Sequence, residues 1–524
     1  MPKWLKDAVF YEIYPQSFQD TNGDGIGDFE GIIRRLDYVK SLGCNALWIN
    51  PCFDSPFMDA GYDVRDYCKA APRYGTNEDL VRLFDEAHAR GIHVLLDLVP
   101  GHTSEEHAWF QQSASLEPGE YKNRYVWTNS AFQGIPEHPY IGGMRDRDGC
   151  YMLNFFASQP ALNYGWARCT EDWMLPPEHP DCQATVQAMT DVMRFWLDRG
   201  CDGFRVDMAD SLVKNDDEKK TATGAIWRRI RTMLDKDYPE AALVAEWGHP
   251  ELALTYGFHM DFYLDHWGNG YNLLLREFEA HEQDGKDASY FRKDGGGDIT
   301  RFLEDYLTRY EASRSNGYIS FITCNHDTPR AKRTLSDAEL KLAYAFIFTM
   351  PGVPFLYYGD EIGMRYLDLP SKEGGYGRTG TRTPMQWDQT AQLGFSQAPA
   401  DRLYLPVDPA EDAPTVESQE RDPDSLLHTV RRIIALRHSW EDLQADAGFE
   451  PVVAQMGGQA PFVYRRGALL LAVNPTGHVT QAVLPDTAPI RGLHGESVFE
   501  IGHASYAQDN RLLTMEPQSF AVYR

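Results

Sequence analysis

Three carboxylates, Asp97, Asp207 and Glu246, stand where a run of strand character hands over to a loop, and Asp207 is preceded at two residues by Arg205. In Gly203-Phe-Arg-Val-Asp-Met-Ala-Asp210, Phe204, Val206 and Met208 alternate with Arg205 and Asp207, the period of a strand. Upstream, Val186, Met189, Val192, Met193 and Trp196 fall near helical spacing, and Gly200 suits the exit from that helix. The order helix, glycine, strand therefore brings Arg205 and Asp207 out at the carboxyl end of a strand, where parallel α/β sheets assemble their chemistry. Charge-assisted hydrogen bonds from Arg205 would keep Asp207 ionised, as a carboxylate nucleophile requires. Taken alone, an Arg-x-Asp at a strand end reads more simply as a structural ion pair.

A second group of oxygen-bearing side chains lies near the start of the chain. Asp20, Asn22, Asp24 and Asp28 occupy positions 1, 3, 5 and 9 of a loop with Gly25 at position 6, the first part of an EF-hand calcium loop. Gly31 replaces the glutamate of position 12. The spacing predicts a structural Ca2+, with Mg2+ as the alternative, held by Asp20, Asn22, Asp24, the Ile26 carbonyl and Asp28. The competing reading is a cluster of Asx turns.

These residues need a scaffold, and the chain is long enough to supply a large one. It has 524 residues, 43% hydrophobic, which suffices for more than one domain. Strand-like Val9–Tyr14, a helix from Phe29 to Leu42, strand Asn45–Ile49, helix Thr76–Arg90 and strand Ile92–Val99 alternate at intervals that favour βα units. The rhythm breaks over roughly 103–180, rich in Gly, Pro, Asn and aromatics, and a stretch this long predicts a separate subdomain. It then resumes with helix 184–199, strand 202–206, helix 222–236 and strand Ala241–Ala245, followed by strands near Asp261–Leu264, Tyr318–Thr323 and Phe355–Tyr358. Eight strands predict a (β/α)8 TIM barrel of the α/β class, with an inserted subdomain after strand 3. After a helix at 425–438, short alternating runs predict a C-terminal antiparallel β domain. The expected division is barrel 1–102, insertion 103–180, barrel 181–442 and a C-terminal β-sandwich over 443–524.

A formal charge of −27 argues against nucleic acid and anionic membrane surfaces as partners. No apolar run reaches the ~18 residues of a membrane helix, so no membrane association is expected. Met1-Pro-Lys-Trp passes directly into strand character, which leaves no room for a signal peptide, and eight cysteines lack metal-ligand spacing. Both features point to the cytoplasm and to reduced thiols, although Cys169 and Cys182 could pair across a loop.

The motifs, taken together, resemble the α-amylase family of glycoside hydrolases (family 13) along essentially the whole chain. The resemblance rests on Asp97-Leu-Val-Pro-Gly-His102, Gly203-Phe-Arg-Val-Asp207, Val244-Ala-Glu246 and Asn325-His-Asp327, in that order. The metal loop, Tyr358-Gly-Asp-Glu-Ile-Gly-Met364 and Arg382-Thr-Pro-Met-Gln-Trp387 resemble the oligo-1,6-glucosidase, α-glucosidase and trehalose synthase branch. The chain departs from the family in three places. Gly101 replaces an Asn that helps ligate an interdomain calcium in α-amylases, so that second calcium is not expected. Ala161 replaces the Asp of a Gln-Pro-Asp-Leu-Asn motif, and Met208 follows the nucleophile position, where linkage-specific members carry Val, Ala or Thr.

The resemblance implies cleavage or transfer of α-glucosidic bonds with retention. Asp207 matches the nucleophile, Glu246 the acid/base and Asp327 the third carboxylate, while Asp59, Tyr62, His102, Arg205, His326 and Arg382 match substrate-binding positions. A retaining mechanism needs one carboxylate ionised and the other protonated, so Glu246 is expected to have a raised pKa, with Trp247 beside it as an apolar wall. Asp59 and Arg382 are expected to close the cleft behind one terminal glucose. The resulting expectation is an exo-acting retaining α-glucosidase, or a transglucosidase, on oligosaccharides or disaccharides, working as a monomer or small homo-oligomer. The alternatives are an endo-acting α-amylase, a trehalose synthase-like isomerase and, more remotely, a non-catalytic amylase-like interaction domain.

Overall fold

Near-continuous apolar runs make the eight barrel strands, and burial on both faces is what such runs require. They are β1 Phe10–Ile13, β2 Ala46–Ile49, β3 His93–Leu98, β4 Gly203–Val206, β5 Ala242–Ala245, β6 Met260–Phe262, β7 Tyr318–Ser320 and β8 Phe355–Tyr357. The computed structural model describes residues 1–277, 286–373, 377–455 and 459–524. Within it the strands form one sheet in the order β7-β6-β5-β4-β3-β2-β1-β8, every pair parallel. Residues just past β7 close the ring on β8: Ile322 bridges Phe355 in parallel, and the Phe355 N–H donates to Phe321 O at 2.8 Å. The predicted barrel is present.

Local sequence explains where its helices begin. Asp28 caps Phe29–Ser41 by accepting from the Gly31 N–H, and Thr76 with Asp79 forms a capping box at Asn77–His88. A second box, Ser336 with Glu339, starts Asp337–Thr349. The crossover between β5 and β6 carries only the one-turn helix Pro250–Ala253, and β6 begins one residue before the predicted Asp261.

The segment between β3 and the helix Pro180–Leu197 contains a short α-helix, Ala108–Ser113, a 3-10 turn, Gly119–Tyr121, and a hairpin of Tyr140–Gly142 with Cys150–Met152. Its own apolar cluster joins Val126, Met152, Ala161, Trp166 and Met174. Bridges from His102 to Ala161 and from Trp166 to Lys214 seat this segment over the carboxyl ends of β3 and β4. One wall of the cleft is thereby fixed to the barrel.

The C-terminal strands form a five-stranded and a three-stranded antiparallel sheet. Val463, Leu470, Ala472, Ala521 and Tyr523 face a core shared with Leu513 and Met515 of the smaller sheet. Phe462, Tyr464, Leu471 and Val522 join the barrel's core from the opposite face. The Thr349 and Tyr464 hydroxyls meet at 2.7 Å, and Phe346 lies edge-on to Tyr464. All eight cysteines are free thiols, so the suggested Cys169–Cys182 bridge is not formed: Cys182 is buried on its helix while Cys169 is exposed. Among the described residues, no helix is long and apolar enough to cross a membrane.

Candidate active site

Arg205 is the hub. Its side chain is 1% exposed, and its Nη1 reaches Asp97 Oδ1 at 2.7 Å and Asp207 Oδ1 at 3.0 Å, while Nη2 reaches Glu246 Oε1 at 2.7 Å. The ends of three neighbouring strands, β3, β4 and β5, are thus drawn onto one guanidinium. Burying that cation is tolerable because each face meets a carboxylate. Arg205, expected among the substrate-binding residues, does not line the cavity described below and meets the three carboxylates from behind.

Met208 follows Asp207 with φ 40°, a left-handed conformation costly for a long side chain. This turn aims the Met208 N–H at Glu246 Oε2, 3.0 Å away. Strain at the strand end is therefore tied to holding Glu246. Burial is the main cause that raises the Glu246 carboxyl to about 8, with the Asp207 charge adding to it and Arg205 opposing. Burial also lifts Asp207, to about 7, again against Arg205. Three carboxylates around one guanidinium leave room for one proton near neutrality, and its preferred seat is Glu246.

Asp327 lies across the cavity. Its Oδ1 takes Arg378 Nη1 at 3.0 Å and Arg382 Nη2 at 2.6 Å. Burial opposes its ionisation, yet it is held far below the ordinary carboxylate range. Burial keeps the adjacent His326 neutral, so the two guanidiniums carry this effect. Asp59 completes the far wall: its Oδ1 meets Arg378 Nη2 at 2.9 Å and its Oδ2 accepts from Gln159 at 2.8 Å. The loop presenting Asp59 has Phe57 at φ 60° and Ala60 at φ 52°, and the Asp63 carboxylate ties it down through the Met58 and Asp59 N–H groups.

A cavity of about 220 Å³ is lined by Asp59, Tyr62, His102, Phe155, Asp207, Met208, Glu246, Asp327 and Arg378. All three candidate catalytic carboxylates and three of the expected binding residues, Asp59, Tyr62 and His102, are in that lining. Two others are not. His326 is fully buried, bonded to Glu12 Oε1 at 3.0 Å and to the Tyr62 hydroxyl at 2.6 Å, contacts that fix the Tyr62 side chain. Arg382, 2% exposed, is spent on Asp327, the His326 carbonyl and Glu373. The partner of Asp59 is therefore Arg378, four residues earlier, and the expected Asp59–Arg382 wall is corrected. A short 3-10 turn, Thr379–Thr381, separates the two arginines and lets both converge on Asp327.

His102 engages both ring nitrogens, Nε2 with the Tyr62 carbonyl and Nδ1 with Asn154 Nδ2, and burial lowers its pKa to about 3. Asn154 also fills the space beside Gly101, where an added Cβ would stand 2.7 Å from Asn154 Nδ2. Its Oδ1 accepts from the buried Lys214 ammonium at 3.1 Å. Sequence reading missed Glu12, Asn154, Lys214 and Arg378. Only Glu12, a lone acid within the apolar run Phe10-Tyr-Glu-Ile13, gave a signal.

Around Asp20–Asp28 the side chains serve the backbone. Asp20 accepts from Asn22, Gly23 and Gly25 N–H groups and from the Ser396 hydroxyl, Asn22 from Asp24 N–H, and Asp24 from Ile26 N–H. Asp28 accepts from Thr21 and the Gly31 N–H. Among the described residues no three His, Cys, Asp or Glu side chains are grouped as a metal would need. As arranged, Asp20 and Asp28 each accept several N–H or hydroxyl donors, and successive Asx turns run through the loop.

The profile of the alpha amylase catalytic domain matches residues 12–446. The chain belongs to the α-amylase family. It is a glycoside hydrolase of that family, as the four motifs suggested. Among curated proteins it is 34% identical to the trehalose synthase/amylase of Mycolicibacterium smegmatis, covering 88% of this chain and 79% of that one. It is 32% identical to the oligo-1,6-glucosidase of Heyndrickxia coagulans, covering 86% and 88%. Among solved structures, an isomaltulose synthase mutant from Erwinia rhapontici NX5 in complex with its natural substrate sucrose superposes with a TM-score of 0.79 at 25% identity, covering 100% of this family member and 99% of that chain.

Proposed function

We propose that this chain is a retaining, exo-acting α-glucosidase on short α-glucosides, able to pass the glucosyl group to water or to a second sugar. Asp207 is the nucleophile, Glu246 the acid/base, and Asp327 the carboxylate that grips the ring hydroxyls as oxocarbenium character develops. The observation carrying this reading is the wall Asp59–Arg378–Asp327, two carboxylates bridged by one guanidinium opposite the Asp207–Glu246 pair. Such a wall offers donors and acceptors to the hydroxyls of a terminal glucose and leaves a polymer no path through. Hydrolysis of a maltooligosaccharide labelled at its reducing end is expected to release glucose stepwise from the unlabelled end. Arg378→Ala is expected to raise KM for maltose roughly tenfold or more, since it removes a charge-assisted partner of a sugar hydroxyl. Early mid-chain fragments from the wild-type enzyme would instead identify an endo-acting amylase.

The similarity to trehalose synthases over most of the chain favours one second reading, isomerisation of a disaccharide within the closed pocket. Incubation with maltose distinguishes the two, because an isomerase accumulates trehalose before free glucose.

We also propose that the Asp20–Asp28 loop takes one Ca2+, through Asp20, Asn22, Asp24, the Ile26 carbonyl and Asp28. The support is the alternation of hard oxygen ligands. Loading requires Asp20 and Asp28 to release N–H and hydroxyl partners, so the affinity is expected to be modest. An ion bound only by the folded state raises Tm by mass action, and millimolar Ca2+ is expected to do so by a few degrees. An unchanged Tm, with no metal retained after dialysis against calcium buffer, would leave the Asx ladder as the loop's whole support.

A further inference from the structure

Asp261 is wholly buried in the middle of β6, between the apolar Met260 and Phe262. Its register partner is Ala245 on β5, and successive strand residues face opposite ways. Asp261 therefore shares a face with Ala245 and lies on the other side of the sheet from Glu246, outside the cavity's lining. Its Oδ1 accepts the Trp247 N–H at 3.1 Å and the Gly248 N–H at 3.3 Å, the two donors directly after Glu246. Its Oδ2 is buried and meets no hydrogen-bond partner among the described residues. Burial raises this carboxyl's pKa well above the ordinary range. A carboxyl kept in such a place is costly, and its one visible use is to hold those two N–H groups.

The same peptides are held from other directions. Arg309, on the helix Ile299–Ser313, donates Nη1 to the Gly248 carbonyl at 3.0 Å, while its Nε is fixed by Asp305 Oδ1 at 2.9 Å. Gly248 has φ 75°, and a Cβ there would come within 2.9 Å of His266 Cε1. The Trp247 ring stacks on Tyr256, with centroids 5.9 Å apart, and lies edge-on to Phe258. On its upstream side Glu246 is tied by its own N–H to the Val206 carbonyl at 2.9 Å. The backbone is thus pinned before and after the acid/base.

A proton donor works only within hydrogen-bond reach of the oxygen it protonates, and a displacement of about 1 Å can cost up to about 10²-fold in rate. Arg205 and the Met208 N–H hold the far end of Glu246, but a side chain anchored only at its tip can still pivot about its Cα. We infer that Asp261, with Arg309, is a brace that positions the acid/base by fixing the peptides that follow it. Asp261 touches neither sugar nor reacting atoms and acts through Glu246. This inference rests on the α-glucosidase reading and adds to it a residue behind the site.

The test compares maltose, which needs the acid, with α-glucosyl fluoride, whose leaving group departs without protonation. Asp261→Val removes the acceptor and keeps a side chain suited to a buried strand. In this variant the ratio of kcat/KM on maltose to that on the fluoride is expected to fall roughly tenfold, through kcat rather than KM. Asp261→Asn, whose amide oxygen can still accept both N–H groups, should restore most of that ratio. The charged groups that face Glu246, namely Arg205, Asp207 and Asp327, stay in place, so water admitted by a loosened turn should move the alkaline limb on maltose to lower pH. Arg309→Met frees the Gly248 carbonyl from the opposite side and is expected to lower the ratio by a smaller factor; it supplies the test if Asp261→Val does not fold. An unchanged ratio in folded Asp261→Val overturns the assignment, as does an equal loss on both substrates or a loss in Asp261→Asn as large as in Asp261→Val. If Asp261→Val does not fold, an unchanged ratio in Arg309→Met overturns it. Wild-type enzyme that fails to turn over the fluoride overturns the glucosidase reading itself, and this inference with it.

Discussion

Replacing Asp207 by Ala is expected to abolish turnover of every glucoside, by roughly 10⁴- to 10⁶-fold in kcat, as loss of a covalent nucleophile does. The size of the effect follows from the site's construction. Arg205, Met208 and the strained strand end all hold the β4 and β5 carboxylates in one arrangement, which another oxygen would have to reproduce to take over the attack. The variant should still fold. Arg205 keeps Asp97 and Glu246 at 2.7 Å each, so the buried cation is not left without a partner. Circular dichroism and Tm separate lost chemistry from lost structure. A folded Asp207→Ala enzyme with near-normal rates would remove Asp207 from the mechanism. Azide offers a further check: as an external nucleophile entering the space of the missing carboxylate, it is expected to restore turnover of an activated glucoside as the glucosyl azide of inverted configuration.

The parts of this site that were legible in the sequence are those fixed by strand periodicity. Asp97, Asp207 and Glu246 each close an apolar run, and a parallel barrel sends all such ends to one face. The insertion was legible as a break in that rhythm. Residues delivered by loops were not. Arg378 lies in Gly377-Arg-Thr-Gly-Thr-Arg382, where no period exists to say which way a side chain turns, and the family-like motif drew attention to Arg382 instead. The backbone between them makes a single 3-10 turn, which sends one arginine to the cavity wall and the other into the protein behind it. That His326 and Arg205 lie behind the cavity's lining was hidden for a related reason. A motif says that a residue is needed, whereas only packing says whether it touches the ligand or the residue that does. The second buried face of the C-terminal sheet was hidden by the same limit, since Phe462 and Tyr464 alternate with Val463 and Arg465 as they would in a sheet with one face in water.

The acid at Glu246 yields the second large effect, and its signature is a dependence on leaving group and pH together. Glu246→Gln is expected to cut kcat/KM on maltose roughly 10²- to 10⁴-fold, the usual worth of a positioned proton donor. Turnover of α-glucosyl fluoride, which departs without protonation, should fall far less. The pH profile follows from the sign of the shifts. Burial raises both carboxyls, so the wild-type dyad should titrate above the ordinary carboxylate range, with apparent pKa values near the 7 of Asp207 and the 8 of Glu246. Below the lower value Asp207 gains a proton and the nucleophile is lost; above the higher one Glu246 loses its proton and the donor is lost. The result is a bell whose alkaline limb belongs to Glu246 and should vanish in Glu246→Gln acting on the fluoride. Stability should move in the opposite direction from activity. A carboxyl whose pKa is raised on folding costs the native state progressively as pH climbs from its unfolded value through its folded one. Glutamine carries no such cost, so the Tm of Glu246→Gln relative to wild type is expected to rise between about pH 5 and pH 8. A wild-type profile flat to pH 10, or a Tm difference that shrinks over that window, would show that Glu246 is an ordinary ionised carboxylate and that the proton for the leaving sugar comes from elsewhere.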